Sequence, residues 1–116
     1  MIVHLVLFTP RPDLPAEGRE RFARALETAL ESIPGIRRYR LGRRLRHGAL
    51  YEAQMAVDFE FVGMLEFEDE AALGAYLAHP AHGELGVLFH TASSAALAYD
   101  YVMAEGNLST TLQRWI

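Results

Sequence analysis

Residues 2–8, Ile-Val-His-Leu-Val-Leu-Phe, form an apolar run interrupted only by His4. Its length suits a strand, and Pro10 and Pro12 close it, so it predicts β1 over residues 2–8. Side chains alternate across a strand, so Ile2, Val6 and Phe8 share one face with His4 while Val3, Leu5 and Leu7 share the other. A strand apolar on both faces needs cover on both. β1 therefore belongs inside a sheet, with helices on one side and something else on the other.

The rest of the chain supplies the partners. Between Pro15 and Ile33 the residues Phe22, Leu26, Ala29, Leu30 and Ile33 recur at helical spacing, and Pro34-Gly35 stops the pattern, which predicts α1. Residues 36–47 hold six of the eleven arginines and suit an edge strand, β2, in which Gly42 marks a bulge or a close backbone approach. A loose connection over 48–58 leads to the aromatic-rich run 59–67, β3. Asp69 can cap a helix, α2, that carries Ala72, Leu73, Tyr76 and Leu77 and stops near His79, because Pro80 disfavours helical geometry in the residue before it. Pro80 suits the first turn of a helix, so the pattern restarts there through Leu85, Leu88, Phe89 and Ala92. Residues 95–102 predict β4, and 104–116 read as a C-terminal tail.

The order β-α-β-β-α-β with right-handed crossovers predicts an α+β, ferredoxin-like domain over residues 1–103. Its four-stranded antiparallel sheet has β1 and β3 central and the helices on one face. A second copy of the chain, stacked sheet to sheet, is the simplest cover for the other face, which gives a homodimeric α/β barrel. Leu108, Leu112, Trp115 and Ile116 of the tail are expected to pack on the partner.

Composition removes several classes of chemistry. The chain has no cysteine, so disulfides, zinc-thiolate sites and thiol nucleophiles are excluded. Its net charge of −4 argues against nucleic acid or an anionic membrane as partner. The start lacks the pattern of a signal peptide or membrane span, which predicts a cytoplasmic protein. All eleven basic residues are arginine, the usage expected of a GC-rich bacterial genome.

A pocket is expected between sheet and helices. On the helix-facing side β4 offers only Ala96, Ala98, Asp100 and Val102, and β3 has Gly63 among phenylalanines. Small side chains there leave room for a small, mostly apolar molecule. Into that room the segment Tyr76-Leu-Ala-His79-Pro80-Ala-His82 brings three polar side chains at three-residue intervals. His82, near a helix start, is expected to stay neutral and able to accept a proton.

Tyr-x-x-His-Pro-x-His after a strand and helix, His4 early in β1 and Asp100-Tyr101 in the last strand resemble the stress-responsive dimeric α/β-barrel (Dabb) family. The resemblance spans residues 2–103 and implies the ferredoxin-like dimeric barrel. A plant member of that family closes a linear polyketide by aldol chemistry, and its tyrosine, histidine and aspartate match Tyr76, His82 and Asp100. The resemblance implies a cofactor-independent cyclase in which His82 removes a proton beside a carbonyl, Asp100 fixes its tautomer and Tyr76 bonds the enolate oxygen, with no metal. It implies His4, Phe22 and Phe61 as substrate-binding positions, Phe61 standing where that member has a histidine. Gly63 and His79 complete the expected binding set, though His79 beside Pro80 also suits a helix cap. A stress-response protein that binds a small hydrophobic ligand without turnover, and a structural dimer with no ligand, remain alternatives. The arginine-rich strand reads as a solvated edge or a strip for phosphate groups.

Overall fold

The computed structural model describes residues 1–116 and places β1 (Ile2–Pro10) inside a four-stranded antiparallel sheet of order β2-β3-β1-β4. The other strands are β2 (Ile36–Arg43), β3 (Phe61–Phe67) and β4 (Ser93–Val102). Three helices, α1 (Ala16–Ser32), α2 (Glu70–Ala78) and α3 (Pro80–Ala92), pack on one face. This is the ferredoxin-like βαββαβ arrangement with the two most apolar strands in the middle.

Register fixes which residues share that face. Ile2, His4, Val6 and Phe8 lie opposite Phe67, Leu65, Gly63 and Phe61 of β3, and opposite Val102, Asp100, Ala98 and Ala96 of β4. The core forms where Ile2, Leu65 and Phe67 meet Ala29 and Ile33 of α1, Leu73 and Tyr76 of α2, and Leu85 of α3. Phe67 and Ala29 are completely buried. The Asp69 side chain accepts the Ala72 N–H at 2.9 Å and starts α2. The restart at Pro80 holds as well, with His79 extended between the two helices (φ −69°, ψ 138°).

Two boundaries differ from expectation. β2 ends at Arg43 and β3 begins at Phe61, with one further backbone bond beyond them, from the Arg44 N–H to the Glu60 carbonyl at 2.7 Å. Arg44 and Arg46 both reach Asp58, at 3.5 and 2.9 Å, Arg46 also meets Glu60, and Leu50–Gln54 forms a short 3₁₀ helix. Gly42 marks a close approach and not a bulge: a Cβ there would lie 2.9 Å from Val62 Cγ1, whereas the bulge falls between Ile36 and Arg38.

The C-terminal segment, expected to trail as a tail, forms a further helix, α4 (Leu108–Trp115). The Asn107 side chain caps it by accepting the Thr110 N–H at 3.0 Å. Its Leu108, Thr111, Leu112 and Trp115 border the same groove as Tyr101, which belongs to the sheet face away from the other helices. That face also presents Leu97 and Tyr99, and these three β4 side chains are 43%, 45% and 49% exposed in the order Leu97, Tyr99, Tyr101. No helix is long and apolar enough to cross a membrane.

Candidate functional site

Where Gly63 and Ala98 flank Val6, the sheet carries little side chain on its helix face, and a Cβ built at Gly63 would meet nothing within 4 Å. A cavity of about 330 Å³ opens there between sheet and helices. Its walls are mostly apolar, and its polar side chains are His4, Tyr76, His82 and Asp100. A smaller cavity of about 230 Å³ adjoins it through the shared residues Phe8, Phe22, Leu26 and Leu41. The phenylalanines pack as a group around Phe8, with ring centroids 5.0 Å away for Phe89, 5.5 Å for Phe61 and 5.9 Å for Phe22.

His4 sits within β1 at only 6% exposure. An imidazole buried there needs a partner, and Asp100 lies directly across on β4. Their hydrogen bond, Nδ1 to Oδ1, is 2.6 Å long. An ionised carboxylate only accepts, so Nδ1 carries the proton, and in the neutral imidazole Nε2 then keeps the lone pair. Asp100 retains substantial solvent contact, its side chain being 45% exposed.

Tyr76 lies on the inward face of α2, buried to 3% exposure, with its ring 5.8 Å from that of His4 and 4.7 Å from that of His82. Burial pushes its phenol up to about 12, so the hydroxyl keeps its proton across the physiological range and can donate it in a hydrogen bond. His82, half-buried in the first turn of α3, has its imidazole pushed below the ordinary value. Burial is the largest cause and the neighbouring His4 adds to it, while the Leu77 carbonyl works the other way. His82 is therefore neutral at neutral pH, as its place near a helix start suggests.

The structure brings Tyr76, His82, His4 and Asp100 together but corrects one pairing. Asp100 holds His4 and not His82, because strand register sets the carboxylate opposite His4 while His82 belongs to the helix layer. His79 drops out of the binding set: its Nδ1 accepts the Ala81 N–H at 3.1 Å and caps α3, and it does not line either cavity. Phe22 and Gly63 line the larger cavity, and Phe61 lines the smaller one. Leu41 and Phe89 are lining residues the sequence did not single out. Strand alternation held the signal for Leu41, which faces the helices across from Gly63. Phe89 sat in plain view as a periodic apolar residue of α3.

Compared with known proteins, residues 2–103 match the family described as Stress responsive A/B Barrel Domain, or Dabb. No curated protein matches the sequence. Among solved structures, a Dabb family protein of Mesorhizobium loti with a ferredoxin-like fold is 25% identical with a TM-score of 0.69, covering 90% of this chain and 97% of that one. A dimeric ferredoxin-like protein of Thermobifida fusca is 20% identical at TM-score 0.66, over 88% of this chain and 90% of that one. A hydroxynitrile lyase from Passiflora edulis is 15% identical at TM-score 0.74, over 90% of this chain and 94% of that one. The last two likenesses are likenesses of fold.

The depressed His82 value has a testable sign. Below the ordinary value of 6.5, an unfolded chain protonates His82 while the folded chain resists, so this residue makes stability fall as pH drops, until the folded imidazole itself takes a proton. A proton NMR titration should place the His82 midpoint below 6.5, and His82→Gln should remove that part of the acid-side slope in urea unfolding. A midpoint at or above 6.5 contradicts the burial account.

Proposed function

This chain belongs to the stress-responsive A/B barrel (Dabb) family, and from that premise we propose that its helix–sheet cleft binds a small, mostly apolar carbonyl compound and moves a proton beside the carbonyl. The reaction class is a cofactor-independent aldol-type cyclisation of a polyketide-like chain. What carries this reading is the 2.6 Å His4–Asp100 hydrogen bond inside an apolar cleft that also holds Tyr76 and His82.

The four groups divide the work by their surroundings. His4 Nε2, with its tautomer set by Asp100, takes a proton from the carbon next to the carbonyl, and the carboxylate stabilises the imidazolium so formed. The electron pair moves to the carbonyl oxygen, where the protonated Tyr76 hydroxyl donates a hydrogen bond to the enolate. Neutral His82 stands beside Tyr76 and keeps that wall of the cleft polar without adding charge. The enolate carbon then attacks a second carbonyl of the same molecule, a carbon–carbon bond forms, and the new alkoxide recovers the proton from His4. Two groups thus stay neutral while one His–Asp pair carries the proton. A hydroxynitrile lyase shares the fold, so the scaffold is compatible with chemistry at a carbonyl carbon.

Two copies of the chain, we infer further, stack through the sheet faces that carry Val3, Leu5, Leu7, Leu97, Tyr99 and Tyr101, with α4 at the margin of the contact. Support comes from the exposure of Leu97, Tyr99 and Tyr101 on the β4 side of that face and from neighbours of the same fold that are dimeric. Light scattering should give twice the 13.0 kDa chain mass, falling to a single mass for Tyr99→Asp. A single mass for the wild type contradicts the dimer.

The chemistry is tested with linear β-polyketide acids or thioesters as substrates. His4→Ala should lower turnover by about 10²- to 10⁴-fold, the range of a general base, with Tyr76→Phe and His82→Ala each costing less. Equal rates for wild type and His4→Ala would remove His4 from the mechanism. Retained binding with no turnover by the wild type would decide for the other reading, a protein that holds a hydrophobic ligand unchanged.

A further inference from the structure

The cleft is charged differently at its two ends. It follows β1 on the helix face from His4 past Val6 and Phe8 to Pro10. Asp100 is its only carboxylate and lies at the His4 end. At the Pro10 end the only charged lining residue is Arg19, from the first turns of α1. Arg19 has no carboxylate partner: its one side-chain hydrogen bond runs from Nη1 to the Leu14 carbonyl at 3.2 Å. Arg43, also outside any ion pair, pairs on the sheet with Phe61, which lines that end. Arg11, nearby, is neutralised by Asp13 at 2.9 Å. Arg37, Arg44 and Arg46 at the sheet edge are likewise paired, with Glu68, Asp58 or Glu60. Arg19 thus stands as an unpaired guanidinium at one mouth of an apolar channel.

We infer that the ligand of this cleft is an elongated apolar acid, whose anionic group sits at Arg19 and whose neutral polar end reaches Tyr76 and His82. The inference rests on the cleft reading proposed above and names its substrate class. Six residues of strand separate His4 from Pro10, about 20 Å at the strand rise, so the channel suits an elongated chain and not a compact molecule. Phe8, Phe22, Leu26 and Leu41, common to both cavities, offer that chain a continuous apolar wall. A carboxylate fits the forked donors of arginine, and Arg19 sits on the surface, where meeting the anion requires no buried charge. The acid group then fixes which end of the molecule faces the His4–Asp100 pair.

Isothermal titration calorimetry with decanoate and with 1-decanol, two probes of equal chain length, tests this. The wild type should bind decanoate about tenfold more tightly than decanol, the worth of one charge-assisted contact. Arg19→Ala should bring decanoate down to the decanol affinity while leaving decanol unchanged, with Arg19→Lys in between. In the unmutated protein the decanoate advantage should shrink as salt is raised. Equal wild-type affinities, or an Arg19→Ala loss that is the same for both probes, overturn the anion site and leave the cleft standing. Failure of both probes to bind overturns the cleft reading together with this one.

Discussion

An imidazole inside the central strand of a sheet is costly unless its nitrogen finds a partner, and in this protein one cross-strand bond meets that demand. His4 is buried among apolar side chains, and the Asp100 carboxylate stands opposite at 2.6 Å. The bond ties β1 to β4, and with it the register that puts Ala96, Ala98 and Val102 on the helix face. Those small side chains, with Gly63 on the other flank, hold the cleft open. A one-residue slip of β4 would turn Asp100 to the far face and set Tyr99 or Tyr101 toward the helices, filling the cleft and stranding His4.

The helix layer depends on a second local rule. Pro80 cannot continue α2, so the chain breaks at His79 and restarts, and the break decides the fate of three polar residues. Tyr76 ends on the buried face of α2, His79 is consumed as the cap of α3, and His82 enters the first turn of α3 beside the Tyr76 ring. Burial then keeps the phenol protonated and the imidazole neutral. His4, by contrast, is held by a carboxylate that still touches solvent. One small cavity thus sets a carboxylate-supported imidazole beside two neutral polar groups.

Much of this was legible before any coordinates. The alternation in β1, the small even-numbered residues of β4, Gly63, the Asp69 cap and the stop at Pro80 each follow from short-range rules, and each holds. The pairing of Asp100 did not follow, since it depends on strand register, a property of two segments almost a hundred residues apart. The clue was nonetheless present: His4 and Asp100 are the only titratable residues on the helix faces of their strands, and an antiparallel β1–β4 pair brings two such residues together. The edge of β2 misled for a different reason. Its arginines promise a longer strand, but the strand ends at Arg43, and Arg44 and Arg46 beyond it meet Asp58 and Glu60 through their side chains. The α4 helix was hidden because Asn107 alone marks its start.

The central claim is that Asp100 fixes the His4 tautomer and leaves Nε2 as the acceptor in the cleft. Nitrogen-15 NMR of histidine-labelled protein, recorded above neutral pH for the wild type and for Asp100→Ala, measures this directly. The account predicts that wild-type His4 is protonated at Nδ1 with a bare Nε2, and that Asp100→Ala relaxes it to a mixture of tautomers. A wild-type His4 protonated at Nε2, or one whose spectrum is unchanged by Asp100→Ala, would contradict it.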